Sequence, residues 1–356
     1  MSGIERNGIA QNGAEENSIE QNNDEQNNDE QNNDMNNPNN MSEVRSEIIR
    51  LARENGADLV GFAPIERFGG DSAAKRLLPE CRTVIGFGFR VLRGCYRGIE
   101  EGSTYYQYTT MGVENMDETI IPAALMRVSA YIEENGGIAL PQRRHDQIMN
   151  TSDGTNPEVH YNRVWHNISS ETLLDFDDTA VKCGLGERGL HGALLCDEFG
   201  PFVRCGFVLC DLEFEPTPMY EPHLCDRCGK CVVGCPGHAL STDGSRDDWR
   251  CAVYYCGANG TKNPFMPPDA YADFADRLAI IAGEAEITPE KAKRIIDETY
   301  FYPAAQHDHP CSICGRACDV ECYIHLEERG LLTRKFKQPF RRREQWQFGL
   351  DSFEVE

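Results

Sequence analysis

The sequence predicts an α/β layer fold followed by a smaller, cysteine-rich module. Two observations carry that division. Between residues 42 and 215, stretches of helical period alternate with short apolar runs, the pattern of helices layered on a sheet. From His223 onward the cysteines cluster, with Cys225, Cys228, Cys231 and Cys235 followed by Pro236 in a C-x2-C-x2-C-x3-C-P run. A chain of 356 residues is long enough for two such units, each with its own core.

Order begins at Ser42, an N-cap residue for a helix that places Val44, Ile48 and Leu51 on one face before Asn55 and Gly56 stop it. Ala57 to Ala63 and Thr83 to Val91 read as buried strands, rich in Val, Ile and Phe. A longer helix spans Met116 to Glu134, with Ile120, Ala124, Leu125, Val128 and Ile132 at helical spacing, and ends at Asn135-Gly136-Gly137. A strand at Ile138 to Leu140, a helix over Glu171 to Lys182, and strands near Leu194 and over Val203 to Leu209 continue the alternation. The polar stretch 142 to 169 is long for a loop without structure of its own and reads as a lid or active-site segment.

Residues 1 to 41 stand apart. The pentapeptide EQNND occurs three times from Glu20 to Asp34, with almost nothing apolar to bury, so this segment is expected to be disordered. It carries nine acidic residues and one Arg, a net of -8, which leaves -15 of the total -23 on the remainder. A fold this acidic disfavours nucleic acid, whose phosphates need a basic footprint. The one basic stretch, Arg334 to Arg343 (RKFKQPFRRR), lies in a tail from 331 to 356 and is expected to be solvated. Neither an export signal nor a run of about 18 apolar residues is visible, so the expected location is the cytoplasm, without a membrane span.

In that reducing setting, 16 Cys point to metal ligation rather than disulfides. Two-residue gaps let one tight loop offer three thiolates to a single iron-sulfur cube, and the Cys before Pro is carried away toward a second cube. The run therefore predicts two 4Fe-4S clusters in a ferredoxin-like module over residues 216 to 330. The further ligands come from Cys251 and from CSICGRACDVEC, which holds Cys311, Cys314, Cys318 and Cys322. The expected sets are Cys225, Cys228, Cys231 and Cys318 for the first cluster, and Cys235, Cys251, Cys311 and Cys314 for the second. Cys256 and Cys322 are left over, and either could replace a distal ligand. Zinc sites pair two C-x2-C knuckles and have no use for this run. Cys81, Cys95, Cys183, Cys196, Cys205 and Cys210 have no ligand spacing and read as small buried hydrophobes.

Gly184 to Phe199 (GLGERGLHGALLCDEF), then GPFVRCGFVLCDLEF and the cysteine run, resemble the epoxyqueuosine reductase and reductive dehalogenase superfamily. The upstream stretch LLPECRTVIGFGFRVLRGCYRGIEEGSTYYQY is similar to the start of that family's catalytic domain. The resemblance implies a nitroreductase-like α/β domain that holds a corrinoid (cobalamin), with the small α+β double-cluster domain feeding electrons to it; such a fold can also hold a flavin. Gly184, Gly186, Gly189 and Gly192 would let backbone approach that cofactor. No D-x-H-x-x-G run is present to supply a His to cobalt. The family's catalytic carboxylate matches the segment Tyr108 to Asp117, with Glu114 as the first candidate proton donor and Asp117 as the second. Both also suit the start of a helix. Tyr105, Tyr106 and Tyr108 are further proton sources or packing groups.

Three functions follow as expectations. The first is a cytoplasmic oxidoreductase with the clusters feeding its own cofactor, supplied by a donor such as ferredoxin or flavodoxin and acting on a small molecule. The second is an electron-transfer protein with no catalytic site. The third, reduction of epoxyqueuosine in tRNA, sits poorly with the acidic fold.

Overall fold

The computed structural model describes residues 38–102, 107–144, 174–299 and 313–353. The first helix, α1 (Pro38–Glu54), starts four residues ahead of the expected cap. Strands β1 (Leu59–Pro64) and β2 (Thr83–Arg90) follow, separated by the short α2 (Ala73–Leu77). Then come α3 (Arg93–Glu101), two wide π-helical segments (Gln107–Glu114 and Met116–Ile120), α4 (Ile121–Glu134) and β3 (Ala139–Gln142). The expected helix from Met116 is thus α-helical only from Ile121, where Pro122 fits the first turn. Next are α5 (Phe176–Lys182), the two-residue strands β4 (Glu187–Arg188) and β5 (Leu194–Leu195), and β6 (Val203–Cys210).

The main sheet has the order β1-β2-β6-β3, and every pairing in it is antiparallel. The layers match the expected α/β architecture, but the strand directions make it an antiparallel sheet between helices. β2 is buried along almost its whole length because both faces are covered. Ile85, Phe87 and Phe89 face Ile48 of α1 and Leu125 of α4. Val84 faces the opposite side, with Phe207, Leu209 and the α5 residue Ala180. The alternation of one strand between two cores is the period-2 pattern of a pleated sheet.

The cysteine module comprises α6 (Lys230–Val233), α7 (Asp248–Tyr255), α8 (Arg277–Ala282), α9 (Pro289–Thr299) and α10 (Ala317–Glu328). Among the described residues its only β feature is a bridge between Leu240 and Arg246, so the expected α+β character reduces to helices and loops. One apolar core joins the two halves, with Tyr96 of α3, Phe202 before β6 and Tyr323 of α10 stacked in sequence.

The C-terminal segment is largely exposed, as its composition predicts, but it is anchored to the two halves at a few points. Arg341 bridges Glu100 of α3 and Glu321 of α10, Phe340 is buried, and the Trp346 Nε1–H donates to the Ile99 carbonyl at 2.8 Å. Glu100 is itself buried, so its charge needs the Arg341 partner. The basic residues serve as a strap across the two halves. The expected lid lies outside the described residues from 145 to 173, as do Tyr105, Tyr106, Cys311 and the low-complexity segment 1–37.

Candidate functional site: two groups of thiols and an adjoining cavity

The loop from Cys225 to Cys235 winds tightly because Arg227 (φ 58) and Gly229 (φ 75) adopt left-handed backbone. Glu187 of β4 fixes where the loop begins. Its carboxylate accepts the backbone N–H groups of His223 (2.5 Å), Leu224 (2.9 Å) and Cys225 (2.7 Å). Such a nest of charge-assisted hydrogen bonds holds the first cysteine of the run against the sheet domain. A second loop before α10 uses the same device, with Gly315 (φ 57) and Arg316 (φ 53) left-handed between Cys314 and Cys318.

The thiols fall into two electrostatic neighbourhoods. Burial, then Cys228 and Cys225, push the Cys231 thiol up to about 11. The Cys322 thiol is raised well above its ordinary value by burial, by Asp319, and then by Cys231, Cys225 and Cys228. Cys322 thus has the first three cysteines as its thiol neighbours. Cys251 is pushed up to about 12, mainly by burial, with Cys314 and Cys235 contributing. Cys318 is raised by burial and Asp319, and among thiols by Cys314 and Cys251. The second neighbourhood is Cys235, Cys251, Cys314 and Cys318.

The electrostatic neighbours differ from the expected sets: Cys322, left over in the sequence, falls beside the first three thiols, Cys318 falls beside Cys314 and Cys251, and Cys311 lies outside the described residues. The reason is the approach of α10 to α6. The Gly234 side that faces α10 has no room for a Cβ, because the Glu321 side chain occupies it. That close packing sets Cys322, next to Glu321, over the Cys225 loop. Cys256, also left over in the sequence, packs instead with the apolar core around Trp249 and Tyr254. The six cysteines without ligand spacing are all buried, as expected.

Each group has the donor chemistry of a 4Fe-4S site: four thiols, with backbone N–H groups directed at sulfur. The Leu190 N–H donates to Cys225 Sγ (3.3 Å) and the Ala239 N–H to Cys235 Sγ (3.4 Å). Asp226, Cys228 and His325 also bring ligand atoms together, but Asp226 is already paired with His325 and Arg329 at 3.0 Å each. We read that trio as support for the Cys225 loop.

A cavity of about 570 Å3 opens beside Cys225, lined among others by Gly189, His191, Gly192, Arg188, Arg227 and Arg246. Of the four glycines expected at a cofactor wall, Gly189 and Gly192 line it. At Gly192 (φ 89) an added Cβ would meet only the Arg188 Nη2 at 3.9 Å, an ordinary van der Waals contact. Gly184 and Gly186 do other work. Gly184 (φ 76) ends α5 in left-handed conformation, and a Cβ at Gly186 would overlap the Leu195 carbonyl oxygen.

A buried polar set lies between the sheet layer and the second thiol group, and sequence reasoning missed most of it. Arg316 donates to Asp319 from Nε at 2.8 Å, and His191 Nε2 lies 3.0 Å from Asp319 Oδ1 without hydrogen-bond alignment. Burial alone would raise the Asp319 pKa, but Arg316 and His191 hold it far below the usual carboxylate range. Asp117 of the second π-helical segment, the second candidate acid, is bound by both arms of Arg204 from β6, with Nε at 2.8 Å. This ion pair ties the π-helical segment to the sheet. Glu114 ends the first π-helical segment, half-buried. Tyr108 in the same segment is fully buried beside Tyr96, with ring centroids 4.7 Å apart. Burial, Tyr96 and Tyr255 raise its pKa well above the ordinary value, while Arg204 and Arg316 oppose that rise. Glu114, Asp117 and the tyrosine cluster marked this region in the sequence, but Arg204, Arg316 and Asp319 did not.

Comparison with known proteins sets the chain beside two kinds of reductase, both suspected from its motifs. It is similar to the epoxyqueuosine reductase of Bacillus subtilis (strain 168), 23% identical over 255 residues that cover 67% of this chain and 61% of the relative. It is also similar to a tetrachloroethene reductive dehalogenase of Desulfitobacterium hafniense, 40% identical over 65 residues, 17% of this chain and 12% of that one. The chain thus spans less than two thirds of the length of these relatives. No family model matches. Among solved structures, the epoxyqueuosine reductase from Streptococcus thermophilus aligns over 80% of this chain and 82% of its own, with TM-score 0.40 and 16% identity. A catabolic reductive dehalogenase aligns over 70% and 35%, with TM-score 0.42 and 18% identity. Among the described residues, no helix is long and apolar enough to cross a membrane.

Proposed function

We propose that the chain is an oxidoreductase that passes electrons through two 4Fe-4S clusters to a reducible cofactor beside the first of them. Cys225, Cys228, Cys231 and Cys322 hold one cluster. Cys235, Cys251, Cys314 and Cys318 hold the other. The single observation that supports this reading is that the thiols influence one another electrostatically in two neighbourhoods, with α10 bringing Cys322 to one and Cys318 to the other. A helix that ligates both clusters keeps them within a few turns of one another, which favours electron exchange between them.

The cavity beside Cys225 is the proposed cofactor site, and its size falls within the roughly 300–1,000 Å3 of small-molecule pockets. A corrinoid is the first candidate and a flavin the alternative; either would supply the step that delivers electrons to substrate. Gly189 and Gly192 would form its backbone wall. Arg188, Arg227 and Arg246 would meet its anionic groups. Tyr108 and Glu114 are the proposed proton carriers of the sheet domain. A ferredoxin or flavodoxin is the proposed donor.

The test is anaerobic purification from the native host, with iron, sulfide, cobalt and flavin determined on the same sample. About eight irons per chain support the cluster assignment, and stoichiometric zinc with little iron overturns it. Cobalt without flavin supports the corrinoid, and flavin alone redirects the proposal to a flavoprotein. Neither, together with no cobalamin binding in vitro, leaves an electron-transfer protein. Saturable binding of tRNA at low salt would favour epoxyqueuosine reduction.

A further inference from the structure

We propose that the chain has a second ligand site at the N-terminal end of α3, which takes a planar aromatic compound bearing an anionic group. A cavity of about 350 Å3 lies there, lined among others by Arg90, Arg93, Gly94, Phe199, Tyr323 and Arg334. It shares no lining residue with the cavity beside Cys225.

Charge is the first argument. The chain carries -23 overall, yet three arginines and one carboxylate, Glu198, line this cavity. Arg90 has Asp58 as a partner at 3.6 Å and Arg93 has Glu327 at 2.6 Å. Arg334 has no carboxylate partner among the described residues. Arg93 Nε is buried and finds no acceptor among them, although both other nitrogens of that guanidinium donate. A buried donor without an acceptor is costly unless something supplies one.

The helix end adds to this field. Leu92, the cap of the nine-residue α3, offers no side-chain acceptor, so the first-turn N–H groups lack the usual cap. Leu92, Arg93 and Gly94 line the cavity, which places the positive end of the helix dipole at its wall.

The aromatic surroundings select the rest of the ligand. Phe202 and Tyr323 stack with centroids 4.2 Å apart and planes at 1°. Arg93 lies 4.1 Å over the Phe336 ring, and Arg334 lies 5.2 Å over Phe199. Phe336, at 48% exposure, leaves part of that rim in solvent. Phe202 is already covered by Tyr96 on one face and Tyr323 on the other, so a ligand ring would stack at the rim, on the Arg334 guanidinium or the half-exposed Phe336 ring, while the arginines and the helix end neutralise its charge. The volume suits a compound of one or two rings rather than a large cofactor.

The test uses the full-length holoprotein and 1-naphthyl phosphate as probe, with binding measured by isothermal titration calorimetry. One site per chain is expected, with inorganic phosphate and 1-naphthol each binding at least about tenfold more weakly. Arg334→Ala should weaken the probe by about tenfold or more. Gly94→Asp should do the same, because nothing lies within 4 Å of a Cβ at Gly94 and the new carboxylate enters the rim without a clash. An Asp in the first turn of a helix also favours folding, so loss of binding would report charge. Gly94→Ala should bind as the parent does. No saturable binding, undiminished binding in both charge variants, or either half of the probe binding as tightly as the whole would overturn the proposal. Because none of the eight cysteines lines this cavity, the binding result is read independently of the iron and cofactor content tested above.

Discussion

Cys318 and Cys322 stand one helical turn apart on α10, yet the thiols that act on them belong to different groups. A four-residue step advances a helix by about 6 Å, enough to carry one ligand past the gap between two sites while keeping both on one face. The helix thereby links the two groups rigidly. Replacing Cys322 with Ser should lower iron toward half of the parent's content and remove one set of cluster signals in electron paramagnetic resonance. Replacing Cys95, buried in α3, with Ala should leave iron unchanged. Equal iron in the Cys322 variant and the parent would refute the assignment.

Glu187 acts on the first thiol group without touching iron. Its carboxylate satisfies three successive N–H groups, and hydrogen bonds to a charged acceptor contribute about 1.5–3 kcal/mol each. Glu187→Gln keeps the shape but turns an amide N–H toward at least one of those donors. Iron should then leave faster on addition of a chelator, and the loss should be confined to one cluster. Unchanged release kinetics would show that the loop holds its form without this residue.

Asp117 and Arg204 form a buried ion pair, with side-chain exposures of 8% and 15%. Asp117→Asn should destabilise the fold by roughly 3–5 kcal/mol, because it leaves the guanidinium buried without its counter-charge. The double variant Asp117→Leu with Arg204→Met should recover most of that loss in chemical denaturation. If Asp117 were instead the proton donor, the single variant would keep its stability and lose turnover.

The glycines of the GLGERGLHG stretch should separate by substitution. Gly186→Ala places a methyl group on the Leu195 carbonyl between β4 and β5, and the chain should fail to reach a stable fold. Gly192→Ala meets only the end of the Arg188 side chain, at 3.9 Å, and should cost little beyond the strain of a left-handed residue, roughly 1–2 kcal/mol. Thermal denaturation of the two proteins distinguishes a packing glycine from one that lines the cavity.

The sequence by itself determined the main strands, the helices on either side of them, and the first three ligands of one thiol group. These are local properties: apolar period marks β2 and α4, and two-residue gaps bring Cys225, Cys228 and Cys231 together whatever surrounds them. Strand direction was not legible, because β2 and β6 pair across more than a hundred residues and their apolar runs look alike in either sense. Nor was the packing of the basic C-terminal segment, whose Arg341 meets Glu100 of α3 and Glu321 of α10 only once the fold has brought both within its reach. The tertiary structure alone brought Cys322 of α10 beside the Cys225 loop. That placement rests on how closely α10 approaches α6 at Gly234, a contact between residues remote in the chain that no spacing within either segment encodes.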